Sequence, residues 1–202
     1  MFEHSNTITI SGRALAAPVF DHEVLGEAFL RLEAAVERLS GAEDVLPVTV
    51  SSRLIGDGAV AEGTPILVKG QIRSYNRRTE EGSHLVLTVF ARELAVLGED
   101  FEPVNEAELS GRICKPVVYR RTPFSREIAD MLVAVNRRYG KSDYIPAIAW
   151  GRNARFAEKL APGDSVVMRG RFQSRGYTKT LPDGNVEQRT AYELSCSAIQ
   201  LL

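Results

Sequence analysis

Residues 119–179 interleave aromatic rings with cationic side chains. Tyr119, Arg120 and Arg121 open the series, followed by Arg137, Arg138, Tyr139 and Lys141. Tyr144, Trp150, Arg152 and Arg155 come next, and Arg169, Arg171, Arg175, Tyr177 and Lys179 close it. A single strand of nucleic acid calls for both kinds of group. Its unstacked bases present flat faces, on which rings stack for roughly 1–3 kcal/mol per base. Its phosphates carry one charge per nucleotide, which Arg and Lys neutralise with release of counterions. Alternate strand residues share a face, so Arg169, Arg171, Gln173 and Arg175 are expected to project together. Tyr139, Tyr177 and Trp150 read as exposed stacking rings. Phe156 and Phe172 read as core fillers, Phe124 fits either role, and Cys114 and Cys196 read as small buried apolar residues.

The formal net charge of −1 conceals a division. Residues 1–104 hold 9 Lys+Arg against 16 Asp+Glu, and residues 105–202 hold 16 against 10. The second half alone would concentrate phosphates around itself. Hydrophobic and charged shares of 44% and 25% are those of an ordinary globular chain. No apolar run approaches the roughly 18 residues that span a bilayer, so no membrane is expected. His4, His22 and His84 form no metal spacing, and neither a phosphate loop nor a nucleophile elbow occurs. Catalysis, a metal, a cofactor and a small-molecule substrate are therefore not expected.

The elements that must carry these groups occur twice. Asn6-Thr-Ile-Thr-Ile-Ser-Gly-Arg13 returns as Asn105-Glu-Ala-Glu-Leu-Ser-Gly-Arg112, and Asp44-Val-Leu-Pro47 as Asp143-Tyr-Ile-Pro146. Lys69-Gly-Gln-Ile-Arg-Ser74 returns as Arg169-Gly-Arg-Phe-Gln-Ser174. The offset of 99 or 100 is the length of a small domain. We read a domain over 1–98, a short exposed linker over 99–104, and a second domain over 105–202. Each copy offers about five strands, with Gly70 or Gly170 marking a bulge or bend in a long one. The segments 28–38 and 128–135 are ambiguous between helix and strand, and strand is preferred by analogy across the repeat. A short helix is expected over 151–160, with at most a vestige at the matching stretch of copy one. Leu181-Pro-Asp-Gly-Asn185 is a turn, and Asp44 and Asp143 read as turn residues before strands. The fold class is all-β: two tandem OB-fold barrels of five strands in Greek-key order.

Copy one has lost most of the interleaving, with Glu37-Arg-Leu-Ser40 where copy two has Asn136-Arg-Arg-Tyr139. It keeps Arg73, Tyr75, Arg77 and Arg78 as a possible secondary site. Copy two is thus expected to bind and copy one to support it or dimerise.

Asn136-Arg-Arg-Tyr139, the run from Asp143 through Trp150 to Arg152, Phe156-Ala-Glu-Lys-Leu160, Gly163, and the run from Arg169 to Tyr177 together resemble the core of bacterial single-stranded DNA-binding proteins. The similarity covers nearly all of 105–202 and, more faintly, 6–97. It implies an OB-fold that wraps single-stranded DNA without sequence preference, with Trp150 at a base-stacking position and Arg171 and Tyr177 in the fourth-strand motif. The family presents four OB-folds per assembly, so the resemblance implies a homodimer, in a bacterial cytoplasm and associated with the nucleoid. The family usually carries a glycine-rich tail with an acidic tip that recruits other proteins. This sequence stops at Leu202, so an accessory variant without that tail is the expectation. RNA remains open as a ligand. The rival reading is a primosome-like interaction module that touches nucleic acid only marginally.

Overall fold

The computed structural model describes residues 6–56, 59–79, 82–137, 140–181 and 183–202. The first copy comprises β1 (Asn6–Ala14), β2 (Val19–Val24), β3 (Glu27–Glu37), β4 (Glu43–Ser51), β5 (Pro65–Thr79) and β6 (Gly82–Val96). The second comprises β7 (Asn105–Ile113), β8 (Val118–Arg121), β9 (Glu127–Asn136), β10 (Ser142–Trp150), α1 (Arg152–Ala157), β11 (Ser165–Thr180) and β12 (Val186–Leu201). Both ambiguous segments, β3 and β9, are strands. The helix is shorter than its pattern, and its counterpart in copy one is a single 3-10 turn over Ser52–Leu54. Each copy also has a short outer strand beyond the five expected. All six residues of β2 are exposed, so no alternation of burial betrays it.

The repeated blocks mark the points where the barrels close and join. β1 closes on β3 through Arg13 and Ala14, and β7 closes on β9 through Arg112 and Ile113. A Cβ on Gly12 would stand 2.1 Å from the Ala35 carbonyl oxygen, so only glycine permits that approach. The register of β11 against β12 shifts between Arg169 and Gly170, as that of β5 against β6 does between Lys69 and Gly70. These are the expected bulges. The Leu181 N–H closes the β11–β12 turn on the Asn185 carbonyl at 2.8 Å.

The two barrels share one sheet. β1 pairs antiparallel with β7, from Asn6 opposite Leu109 to Ile10 opposite Asn105, giving twelve strands in sequence from β2 at one edge to β8 at the other. Ile8, Ile10, Ile72, Leu109, Phe172 and Leu194 are almost wholly buried. Residues 99–104 are tied down rather than free. Ser11 donates its hydroxyl to the Glu102 carbonyl at 2.7 Å and accepts from the Val104 N–H at 2.7 Å.

A reciprocal clasp adds to the shared sheet. Asp44 and Asp143 lie inside strands and are fully buried, so they are not turn residues. Asp44 of the first copy accepts from the Ser174 N–H of the second at 2.7 Å, and Val45 N–H donates to the Ser174 hydroxyl at 3.2 Å. Arg38 pairs with Asp44 at 2.5 Å and donates to the Ser174 carbonyl at 3.1 Å. The mirror arrangement joins Asp143 to the Ser74 N–H at 2.5 Å and the Tyr144 N–H to the Ser74 hydroxyl at 2.7 Å. There Arg137 pairs with Asp143 and donates to the Ser74 carbonyl at 2.9 Å. A buried carboxylate costs several kcal/mol unless it is paired and hydrogen-bonded, and each of these has both.

Cys196 is buried, and that burial pushes its thiol up to about 12. Cys114 is only half-buried, contrary to expectation. With iodoacetamide at pH 8, Cys114 should alkylate in the folded protein and Cys196 only after denaturation, as read by peptide mass spectrometry. Gly170→Ala would place a Cβ 2.0 Å from the Ser195 carbonyl oxygen. It should lower unfolding free energy by about 2–3 kcal/mol in a urea titration.

Candidate nucleic-acid interface

The outer end of the second barrel gathers six of the expected residues. Arg120 on β8 lies opposite Ile128 on β9, which lies opposite Trp150 at the end of β10. Cross-strand partners share a face, so Trp150 and Arg120 flank the buried Ile128. Trp150 is 40% exposed. Arg121 and Arg155 both reach Glu127, at 3.7 Å and 2.7 Å, and Arg120 reaches Asp130 at 2.8 Å. Tyr119 is half-buried, and its hydroxyl donates to Glu127 at 2.7 Å, which raises its pKa. Arg152, at the start of α1, is exposed with no ion pair among the described residues.

A second group follows β11. Arg169 pairs with Glu108 at 2.5 Å, and Arg175 with Glu193 at 3.5 Å. Arg171 donates to Gln173 at 3.0 Å, while its Nε is buried without a partner. Gln173 does not project into solvent as expected. It is buried and donates to Glu193 at 2.8 Å. Arg169 and Arg171 line a cavity of about 640 Å³ where β1 meets β7, together with Glu106 and Glu108. Tyr177 is 38% exposed on the distal hairpin, and Lys179 is half-buried two residues on.

The remaining positions lie elsewhere. Tyr144 is exposed toward the far end of β10, about 20 Å along the strand from Trp150 at 3.3 Å per residue, and Lys141 is exposed just before that strand. Arg137 is engaged in the clasp, paired with Asp143 and donating to the Ser74 carbonyl. Arg138 and Tyr139 lie outside the described residues. Phe156 is 38% exposed rather than in the core, Phe172 is buried as expected, and Phe124 is exposed.

The larger groove, about 1180 Å³, is on the first barrel. Arg73, Tyr75 and Arg77 line it with Phe90, Arg92 and His22, and Arg137 enters from the second barrel. Arg78 is exposed nearby on β5. The guanidiniums of Arg73 and Arg92 lie 5.9 Å and 5.4 Å from the Phe90 ring centre. His22 stacks on Phe29 at 5.1 Å, and Phe29 meets Phe90 at 5.7 Å. Phe29, Phe90 and Arg92 are not among the residues singled out from sequence. Their signal is slight: Phe90 and Arg92 stand two residues apart on β6, and Phe29 lies on β3.

An all-β chain of paired OB barrels, with exposed rings set among arginines, defines a class of nucleic-acid-binding scaffold. Residues 104–202, the second barrel, match the profile of the Single-strand binding protein family. The single-stranded DNA-binding protein of Deinococcus radiodurans is 27% identical over 159 residues, which is 68% of this chain and 50% of that protein. Single-stranded DNA-binding protein 1 of Streptococcus pyogenes is 31% identical over 81 residues, 37% of this chain and 62% of that protein. The chain therefore spans about half to five-eighths of these relatives' length. The crystal structure of the wild-type single-stranded DNA-binding protein from Thermus aquaticus superposes with a TM-score of 0.77 at 21% identity, covering 100% of this chain and 94% of that one. A deletion variant of that protein gives 0.79 at 20% identity, covering 100% and 96%. This likeness is one of fold. Among the described residues, no helix is long and apolar enough to cross a membrane.

Glu127 restrains three groups at the outer end. Glu127→Gln should release Arg121 and Arg155 and tighten binding of a polyanion such as heparin about three- to tenfold, read by titration at fixed salt. An unchanged affinity would mean that these arginines do not face the ligand.

Proposed function

We propose that the protein binds single-stranded nucleic acid, DNA foremost, with little sequence preference, in replication, recombination or repair. The observation that carries this reading is Trp150. A large ring, 40% exposed, stands at a strand end with Arg120 across the sheet and Arg152 and Arg155 on the following helix. A solvent-facing indole among guanidiniums suits an unpaired base flanked by phosphates. The carboxylates on these arginines are weak competitors. The Arg120–Asp130 pair is exposed on both sides, and such pairs contribute about 0–1 kcal/mol, so a phosphate displaces it at small cost. Tyr177, Tyr144, Arg169, Arg171, Arg175, Lys141 and Lys179 extend the path, in our reading, along β11 and β10. RNA offers the same bases and phosphates and is a possible ligand.

We further take 1–98 and 105–202 as the two domains. Two chains would assemble as a homodimer presenting four barrels, acting in the cytoplasm at the nucleoid. Sedimentation velocity should give twice the chain mass.

Titration with oligo-dT of 35 nucleotides should quench tryptophan fluorescence, and affinity should fall steeply with salt. Trp150→Ala should weaken binding about 5- to 100-fold while leaving the unfolding midpoint little changed. Absence of a gel shift with 35- and 70-nucleotide strands at micromolar protein would overturn the proposal.

A further inference from the structure

The twelve-stranded sheet ends on two strands that each have a neighbour on one side alone among the described residues. β2 pairs with β3, and β8 with β9. The outer side of each presents backbone N–H and C=O groups to solvent, a template on which another strand can pair. The two edges occupy the same place in the repeat, yet they carry opposite charge. Residues 15–26 hold Asp21 and Glu23 and neither Lys nor Arg. Residues 115–126 hold Lys115, Arg120, Arg121 and Arg126 and neither Asp nor Glu. All six charged residues are exposed, and Glu23, Lys115 and Arg126 have no ion pair among the described residues.

The edges are apolar as well as charged. Phe20 on β2 is 65% exposed, Val118 on β8 is 56% exposed, and Val19 and Val24 flank Phe20 in solvent. In the turns beyond, Phe124 is exposed and Leu25 lies wholly in solvent. Leu25 and Ser125 hold matching places in those turns, both with positive φ, 49° and 58°. That conformation is uncommon and costly for leucine, and no burial within the chain offsets it. Apolar side chains framed by charge mark a surface that associates. Charge on an edge ordinarily blunts it, but here it blunts selectively. Two β2 edges would set acid against acid, and two β8 edges base against base. A β2 edge against a β8 edge sets acid against base, which stabilises a cross-strand pair.

We propose that β2 of one chain docks antiparallel against β8 of a second copy, a head-to-tail contact that continues the sheet from chain to chain. The central seam shows the geometry, because β1 and β7, also counterparts in the repeat, already pair antiparallel. A register that sets Val24 against Val118 sets Asp21 against Arg121, with Glu23 two residues along. The register of β2 against β3 shifts between Phe20 and His22, which bends the edge and keeps the contact short. The association is therefore weak and salt-sensitive. Its two surfaces differ, so it repeats into an open row or a ring, unlike a closed dimer built on one self-complementary patch. It stands whether or not the chain binds a single strand.

The test is sedimentation velocity of the full chain without nucleic acid, from micromolar to submillimolar protein at low salt, with circular dichroism to confirm folding. The average mass should keep rising with concentration above that of the smallest assembly, and added salt should reverse the rise. Asp21→Lys/Glu23→Lys and Arg121→Glu/Arg126→Glu each give the two edges the same sign. Each pair of changes should weaken this association about tenfold or more. The chain with all four changes keeps the parent's net charge and exchanges the signs of the edges, so it should associate again. A parent that stays at its smallest assembly would overturn the inference. So would two-residue variants that associate as the parent does, or a four-residue variant that stays apart.

Discussion

Two buried carboxylates hold the molecule's halves in one geometry. Asp44 and Asp143 each reach across the pseudo-twofold seam to a backbone N–H of the other barrel, and each is neutralised by an arginine six residues earlier in its own. A carboxylate this deep tolerates no partial solution, because losing one partner leaves a buried charge uncompensated. The clasp is therefore close to all-or-none. It works with the β1–β7 pairing, which joins the barrels edge to edge in one sheet. What the clasp contributes is relative orientation, on which any path for a strand running from one barrel to the other depends.

The symmetry is incomplete where ligands would act. At Asp143 a second arginine, Arg73, joins the clasp at 3.2 Å, whereas the matching Gln173 turns to Glu193 instead. One side of the seam thus carries an extra cation facing a groove, and the other a buried polar network. The charge division follows the same line. The second barrel spreads its cations over its end and along β11, mostly against half-buried carboxylates. The first concentrates a few in one concavity.

The repeats were legible because they are structural requirements. Gly12 and Gly111 recur where strands close within contact of a carbonyl, Gly70 and Gly170 at the bulges, and Ser74 and Ser174 as recipients of the clasp. Their meaning was less legible. An aspartate before an apolar run has the composition of a turn, and nothing in one copy's sequence states that its partner lies in the other copy. For the same reason nothing in the sequence shows that Arg137 pairs with the buried Asp143. β2 and β8 escaped notice because exposed edge strands carry no alternation. The aromatic ladder of the first barrel escaped because its third ring, Phe90, lies on β6, far in sequence from the β2–β3 hairpin that pairs His22 with Phe29.

The most direct measurement of the central claim is differential scanning calorimetry of the protein without ligand, compared with an Asp44→Ala/Asp143→Ala double variant. Halves locked by the clasp should unfold in a single transition whose calorimetric and van't Hoff enthalpies agree. In the double variant that transition should fall in temperature and separate into two. Two independent transitions in the unmodified protein, or a double variant that melts as the parent does, would contradict the account.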